Sequence, residues 1–451
     1  MPRITMIGAG SIVFAKRMIS DVLSYPELDG SAIALMDIDQ HRLDLISRLA
    51  RRMAVQAGRR VDVTATLDRR EALEGADYVM NMIQVGGLDA YEKDIAIPQR
   101  YGVEQCVGDT LGPGGIFRAV RTFPVLQAIV RDMEELCPGA LLLNFSNPMA
   151  INVWALSEIT ALRTVGLCHN VNLTAERLAR WVGVPFPELD LWVGGINHMV
   201  WFLKLEHRGQ DVYPRLRAAM QDPEIYAEDP VRFDLMRHFG YFVSESSGHL
   251  SEYVPYFRKR PDLLQGLVES FTAPNADWLD WGRTGGYLRT CHRRRDELDQ
   301  RLLAQIEGRE PVSLGSSGWD AVPIIHGLET GTPHRIFGNV KNTGLISNLP
   351  EGCCVEVPCL VDGTGVHACH VGALPAQLAA LCRTNVNVQE LTVQALLTGD
   401  RAALRYAAKL DPLTGAVCSL EEIDHMVDEL DAAMAPWRDG ATPRPALTAT
   451  R

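Results

Sequence analysis

From residue 3 to about residue 190, short apolar runs alternate with longer stretches whose apolar positions recur every three or four residues. The runs Arg3–Ile7, Ala32–Met36, Val61–Ala65, Tyr78–Ile83, Ala140–Asn144 and Thr164–Cys168 hold β-branched residues, as strands buried on both faces require. The stretches between them predict helices over Ile12–Leu23, His41–Gln56, Ala119–Cys137 and Leu173–Val182. Strand–helix alternation of this kind predicts an α/β fold built on a doubly wound parallel sheet. After about residue 190 the pattern changes to longer loops rich in Pro, Gly and Trp, with helices expected over Trp281–Ile306 and Pro375–Leu397. Two domains follow, 1–192 and a mixed α+β domain over 193–451, with a site expected between them. The tail from Arg438, Asp-Gly-Ala-Thr-Pro-Arg-Pro, is expected to be frayed.

Bulk composition narrows the class of partner. Apolar residues make up 47% of the 451 and charged residues 22%, enough for a large core under an ordinary polar surface. The net charge of −12 suits neither nucleic acid nor an anionic membrane surface, and neither is expected as a partner. No apolar run approaches the roughly 20 residues of a membrane span. The chain enters a strand at once, without the basic start and apolar stretch of a signal peptide. The ten cysteines show no disulfide-framework spacing, which points to a reducing, cytoplasmic setting.

Candidate chemistry begins at Gly8-Ala9-Gly10-Ser11, directly after the first strand and before the first helix. Glycines there let the backbone approach a pyrophosphate, and the helix N-terminus offers amide donors. The third glycine of the usual fingerprint is missing, since Val13 and Phe14 occupy that region, and a plain tight turn is the alternative. Asp37 closes the second strand, where a carboxylate can accept hydrogen bonds from ribose hydroxyls and repel the 2′-phosphate of NADP. Ligands of open α/β sheets bind beyond the carboxyl ends of the strands. Those ends read Gln84-Val85-Gly86-Gly87, Asn144-Phe145-Ser146-Asn147-Pro148 and Cys168-His169-Asn170, so Gln84 joins the cofactor candidates and Asn147 can aim its amide into the crevice. Cys-His occurs three times, at Cys168, Cys291 and Cys369, and only the first pair closes a predicted central strand. A thiolate and an imidazole bind divalent transition metals well. His198, in Gly194-Gly195-Ile196-Asn197-His198, is the second candidate ligand, and a buried structural cysteine is the alternative. Thr110-Leu111-Gly112-Pro113-Gly114-Gly115 lacks the Lys-Ser/Thr of a P-loop and is expected to act as a flexible lid.

Taken in order, these segments resemble glycoside hydrolase family 4, and within it the bacterial α-galactosidase branch. The resemblance rests on Ile7–Ser11, Met36–Asp39, Asp109–Ile116, Asn147–Ala150, Gly166–His169, Gly195–Met199, Gly240–Ser247 and Asn348–Val357. It implies a Rossmann-type first domain, and a second domain similar to the C-terminal domain of lactate dehydrogenases. It implies NAD and Mn2+ as cofactors, a small α-glycoside as substrate and a homodimer or homotetramer. The implied mechanism oxidises the sugar at C3, removes the C2 proton, eliminates the aglycone, adds water and reduces C3 again, which sets the family apart from two-carboxylate hydrolysis. Cys168 and His198 match the metal positions, Asn147 the substrate position and His169 the proton donor to the leaving group. Tyr253 is the first choice for the C2 base and Tyr241 the second. His169 argues for an unphosphorylated sugar, and Asn170, where the α-galactosidases carry Ser, leaves room for an α-glucoside or a uronide. A lactate- or malate-type dehydrogenase with net redox chemistry shares the fold but has no use for Cys168 with His198.

Overall fold

The computed structural model describes residues 1–270 and 282–438. Six parallel strands open the chain: β1 Arg3–Ile7, β2 Ala32–Met36, β3 Asp62–Thr66, β4 Tyr78–Asn81, β5 Leu141–Asn144 and β6 Thr164–Leu167. They stand in the order β3-β2-β1-β4-β5-β6. The order reverses between β1 and β4, and a crevice opens there beyond the carboxyl ends. All of these strands but β3 are buried along almost their whole length, because helices cover both faces, and their sequences therefore read as largely apolar runs. β4 and β6 end earlier than their apolar runs. The ladder pairs Asn81 with Asn144 and Leu167 with Gly338 and goes no further, which frees Ile83 and Cys168 for the crevice.

The helices form for the expected reason. Gln40–Ala57 buries Leu43, Ile46, Leu49, Ala50 and Met53, one stripe at helical spacing, and its N-cap Asp39 accepts from Arg42 N. One expectation fails. Gly112–Gly115 are no lid: they are the first turn of the helix Gly112–Leu136, and all are buried. A Cβ on Gly114 would lie 2.5 Å from the Asp94 carbonyl, and one on Gly115 would lie 2.6 Å from the carbonyl carbon of Thr110. These glycines permit close backbone approach rather than motion.

The sheet then continues with reversed direction. β6 pairs antiparallel with β10 His334–Lys341, and β11 Cys354–Asp362, β7 Leu189–Ile196, β8 Met199–His207 and β9 Gln210–Asp211 follow, with β12 Gly365–Ala368 beside β11. Among the described residues this makes one twelve-stranded sheet. The two helices expected in this half run Gly286–Glu307 and Ala376–Thr398, among others that include Pro230–Phe239 and Ala321–Thr330. Trp281 and the tail beyond Arg438 lie outside the described residues. The segment after Gly286–Glu307 is fastened to the first half: Ser317 N donates to Asp21 Oδ1 at 2.5 Å, and Gln56 Nε2 to the Val312 carbonyl at 2.8 Å. No described helix is long and apolar enough to cross a membrane.

Candidate functional site

The cofactor turn is built as its sequence demands. Gly8 takes φ +82°, and a Cβ there would meet the Met82 carbonyl carbon at 2.9 Å, so only glycine fits where β1 passes β4. Ser11 is the N-cap of the helix Ile12–Ser24 and makes no side-chain cap bond, so that helix end keeps donors for an anion. Gly10 N donates to Asp37 Oδ2 at 2.7 Å, and Asp39 N donates to Oδ1 at 2.9 Å. A Cβ on Gly10 would fall 2.7 Å from Asp37 Oδ2, so the second glycine gives the carboxylate its place. Burial raises the Asp37 carboxyl above its ordinary value, against the hydrogen bonds from Asp39 and Gly10. Gln84 is exposed after β4, its amide on the Gly87 carbonyl at 3.3 Å. The glycine turn, the fixed carboxylate and the open helix end fit a dinucleotide.

Beyond β4 and β5 a buried polar network shapes the crevice floor. Asn81 Nδ2 donates to Asn144 Oδ1 at 2.8 Å, and Ser146 Oγ donates to the Ile83 carbonyl at 2.8 Å. Asn147, whose bond to Pro148 is cis, donates from Nδ2 to Asp109 Oδ2 at 3.2 Å, while Arg118 Nε donates to its carbonyl at 3.2 Å. Asp109 is buried, which pushes its carboxyl up. Arg118, His249 and the Thr110 hydroxyl outweigh that and hold it below the usual range.

At the end of β6, Cys168, His169 and Asn170 lead into the helix Asn170–Val182, with His169 as its N-cap. The Cys168 thiol is pushed well above its ordinary value by burial first, then by the charges of Glu356 and Glu245. The His169 imidazole stacks on the Trp319 indole, centroids 4.9 Å apart and planes 14° apart, and the Arg17 guanidinium sits 5.0 Å over that indole. Burial lowers the His169 pKa, Glu245 raises it and Arg17 lowers it again, for a net fall.

His198 closes the two-residue turn between β7 and β8, where Ile196 pairs with Met199. Its φ is +65°, a left-handed conformation uncommon outside glycine and concentrated at functional sites. Nδ1 of this buried imidazole lies 2.9 Å from the Tyr253 hydroxyl, and Nε2 lies 3.4 Å from Glu245 Oε2. Burial pushes its pKa down to about 4, so the ring is a neutral ligand. Glu245 Oε1 accepts from Ser246 N at 2.7 Å and Ser246 Oγ at 2.8 Å. Its Oε2 faces His198, His249 Nδ1 at 3.7 Å, and the donating Asn170 amide. Burial alone would raise Glu245, but His198 and His249 hold it far below the usual carboxylate range, while the same contact pushes His249 up to about 9 against burial.

Among the described residues, His198, Glu245 and His249 form the cluster of three whose ligand atoms all lie within 4.8 Å. Cys168 is outside that triplet, with Glu245 charge acting on both. The neutral His198 imidazole, the His249 ring, a carboxylate and the Cys168 thiol fit a divalent transition ion, whose charge would displace the His249 Nδ1 proton and deprotonate the thiol. Tyr253 reaches the cluster. Tyr241 does not: it packs edge-on against Tyr213 at 6.0 Å and lines a surface pocket with Lys204, Glu206 and Arg217. Sequence reasoning left Glu245, His249, Asp109 and Trp319 without roles. For Glu245 and His249 the available signal was their four-residue spacing beside Tyr253 in Ser244–Val254.

The comparisons agree along the whole chain. The model for family 4 glycosyl hydrolases matches residues 3–184, and the model for the C-terminal domain of that family matches 193–414. The chain is 42% identical over 440 residues to an α-galactosidase of Rhizobium meliloti (strain 1021), covering 96% of this chain and 89% of that protein. It is 40% identical over 441 residues to an α-galactosidase of Bacillus subtilis (strain 168), covering 97% and 99%. The fold is shared with a 6-phospho-β-glucosidase from Thermotoga maritima, solved with manganese, NAD+ and glucose-6-phosphate: TM-score 0.78, 22% identity, covering 96% of this chain and 99% of that one.

Proposed function

The chain belongs to the family 4 glycosyl hydrolases, and from that premise we propose that it is an NAD- and Mn2+-dependent α-galactosidase. One observation carries the reading. A buried polar chain runs from Asn147 to Asp109 at 3.2 Å, to His249 at 3.9 Å, to Glu245 at 3.7 Å and to His198 at 3.4 Å. It joins the crevice beyond β5 to the β7–β8 turn, which supports a single site built from both halves of the chain.

Bound NAD would supply a two-electron acceptor and donor for the sugar C3, and bound manganese a Lewis acid beside the C2 and C3 oxygens. Gly8, Ala9, Gly10 and Ser11 would cradle the diphosphate, Asp37 would take the ribose hydroxyls, and Gln84 would border the same groove. Cys168 and His198 would hold the metal, and the Asn147 amide would orient a sugar hydroxyl. With C3 at the ketone level the C2 proton is acidic, and Tyr253 accepts it. Burial, and next Glu245, push that phenol well above its ordinary value, so it acts as a base only against nearby positive charge. His169 gives its proton to the leaving oxygen as the C1–O bond breaks, and Trp319 stacked on its ring fixes its plane. Water then enters at C1 and the steps reverse.

The α-galactoside is favoured over an α-glucoside, glucuronide or galacturonide because the two α-galactosidases are 42% and 40% identical to this chain over 96% and 97% of its length. A screen of nitrophenyl glycosides with and without NAD, Mn2+ and thiol checks the sugar. We read residues 1–192 and 193–451 as separate domains, and the protein as cytoplasmic, since the thiol needs reducing conditions, and as a homodimer or homotetramer.

Hydrolysis in heavy water tests the mechanism. The released sugar should carry deuterium at C2, with no NADH accumulating over many turnovers. Product without deuterium, formed as fast without NAD, would remove the mechanism. One NADH per product would instead favour a net dehydrogenase.

A further inference from the structure

We propose that Glu245 and His249 are ligands of the divalent cation alongside His198, an inference that rests on the metal dependence proposed above. The three residues are buried, and one atom from each faces a common centre. Glu245 Oε1 is clamped by the Ser246 amide and hydroxyl, which leaves Oε2 as the oxygen turned toward both histidines. Its separations from His198 Nε2 and His249 Nδ1, 3.4 and 3.7 Å, are long for N–H···O bonds. They fit two ligands of one cation, which at bonds of about 2.1 Å stand roughly 3 Å apart when adjacent and roughly 4 Å apart when opposed. Asn170 also donates to Oε2 and fixes its direction.

The His198 imidazole is supported as metal ligands usually are, through its second nitrogen. His198 Nδ1 rests on Tyr253 at 2.9 Å, so Nε2 is the nitrogen it presents. His249 Nε2 is buried without a hydrogen bond, and the carboxylate of Asp109 stands 3.9 Å away. With Nδ1 on a cation, the ring proton would sit on Nε2 and face that carboxylate. The orphaned nitrogen thus acquires a purpose. Two histidines and one carboxylate on one side of an ion leave its other positions open, where the Cys168 sulfur and two sugar oxygens can enter. A cation held by four side chains stays bound without substrate, whereas one held by Cys168 and His198 alone leans on the sugar for its shell.

The test is Mn2+ binding to chelator-stripped protein without NAD or sugar, read as loss of the free-ion electron paramagnetic resonance signal. Glu245→Gln and His249→Gln, with folding checked by circular dichroism, should each bind Mn2+ about tenfold or more weakly. Wild-type affinity in E245Q would overturn the proposal. Pulsed resonance on the wild-type Mn2+ protein needs no variant and counts imidazole nitrogens: two are expected, and one would overturn His249. If the wild-type protein binds no Mn2+, this inference and the metal dependence beneath it both fall. If wild type and E245Q bind it alike, only this inference falls.

Discussion

The Tyr253 hydroxyl lies 2.9 Å from Nδ1 of His198, with both side chains buried. The contact fixes which imidazole nitrogen faces Glu245, and it puts a phenol beside the proposed metal site. Tyr253→Phe separates these roles. A base is worth about 10² to 10⁴ in rate, so kcat and kcat/KM should fall by that much. Exchange at C2 should stop, while Mn2+ affinity stays within about tenfold of wild type. If C2 exchange persists and Mn2+ binding alone is lost, Tyr253 only orients His198.

Asp37 is the proposed selector of NAD over NADP. Its two oxygens hold Gly10 and Asp39, so the carboxylate cannot swing away from a 2′-phosphate. NAD should bind roughly tenfold or more tightly than NADP, a difference of about 1.4 kcal/mol, and Asp37→Ala should narrow the gap. Calorimetric titration reads both, and equal affinities in the wild-type protein refute the assignment.

Cys168→Ser should abolish activity and metal retention with the fold intact, because a hydroxyl anchors a soft divalent ion far less well than a thiolate. Metal analysis after gel filtration checks it. A variant with full Mn2+ content and full rate would make Cys168 a core cysteine.

Asp320 gives the folded protein a pH signature. Burial raises its carboxyl to about 6, against hydrogen bonds from Phe337 N and Asn172. Because the folded pKa exceeds the unfolded one, the native state holds the extra proton between about pH 4 and pH 6, and this group's contribution falls as pH rises through that window. The stability of Asp320→Asn relative to wild type should therefore climb from pH 4 to pH 6 and level off above. Parallel stability curves from urea denaturation at several pH values would refute the assignment.

Much of this was legible in the chain. The bounds of β1 and β2 are those of their apolar runs, because a strand covered by helices on both faces has no polar side. Gly8, Gly10 and Asp37 were readable because a turn that needs φ above zero and a strand end that needs a carboxylate impose residue types locally. The resemblance singled out Cys168 and His198 in the same way, as residues in short recurring segments. What the chain did not reveal depends on contacts between distant segments. Gly112–Gly115 read as loose until the fold set them against Asp94 and Thr110, and β10 and β11 take their partners from β6 and β7 across long intervals. Glu245 faces His198, His249 backs onto Asp109, and Trp319 lies flat on His169. Sequence patterning reports only which face of an element is buried; the neighbour on that face is chosen by strand order and packing, so the tertiary structure alone joined these side chains into one site.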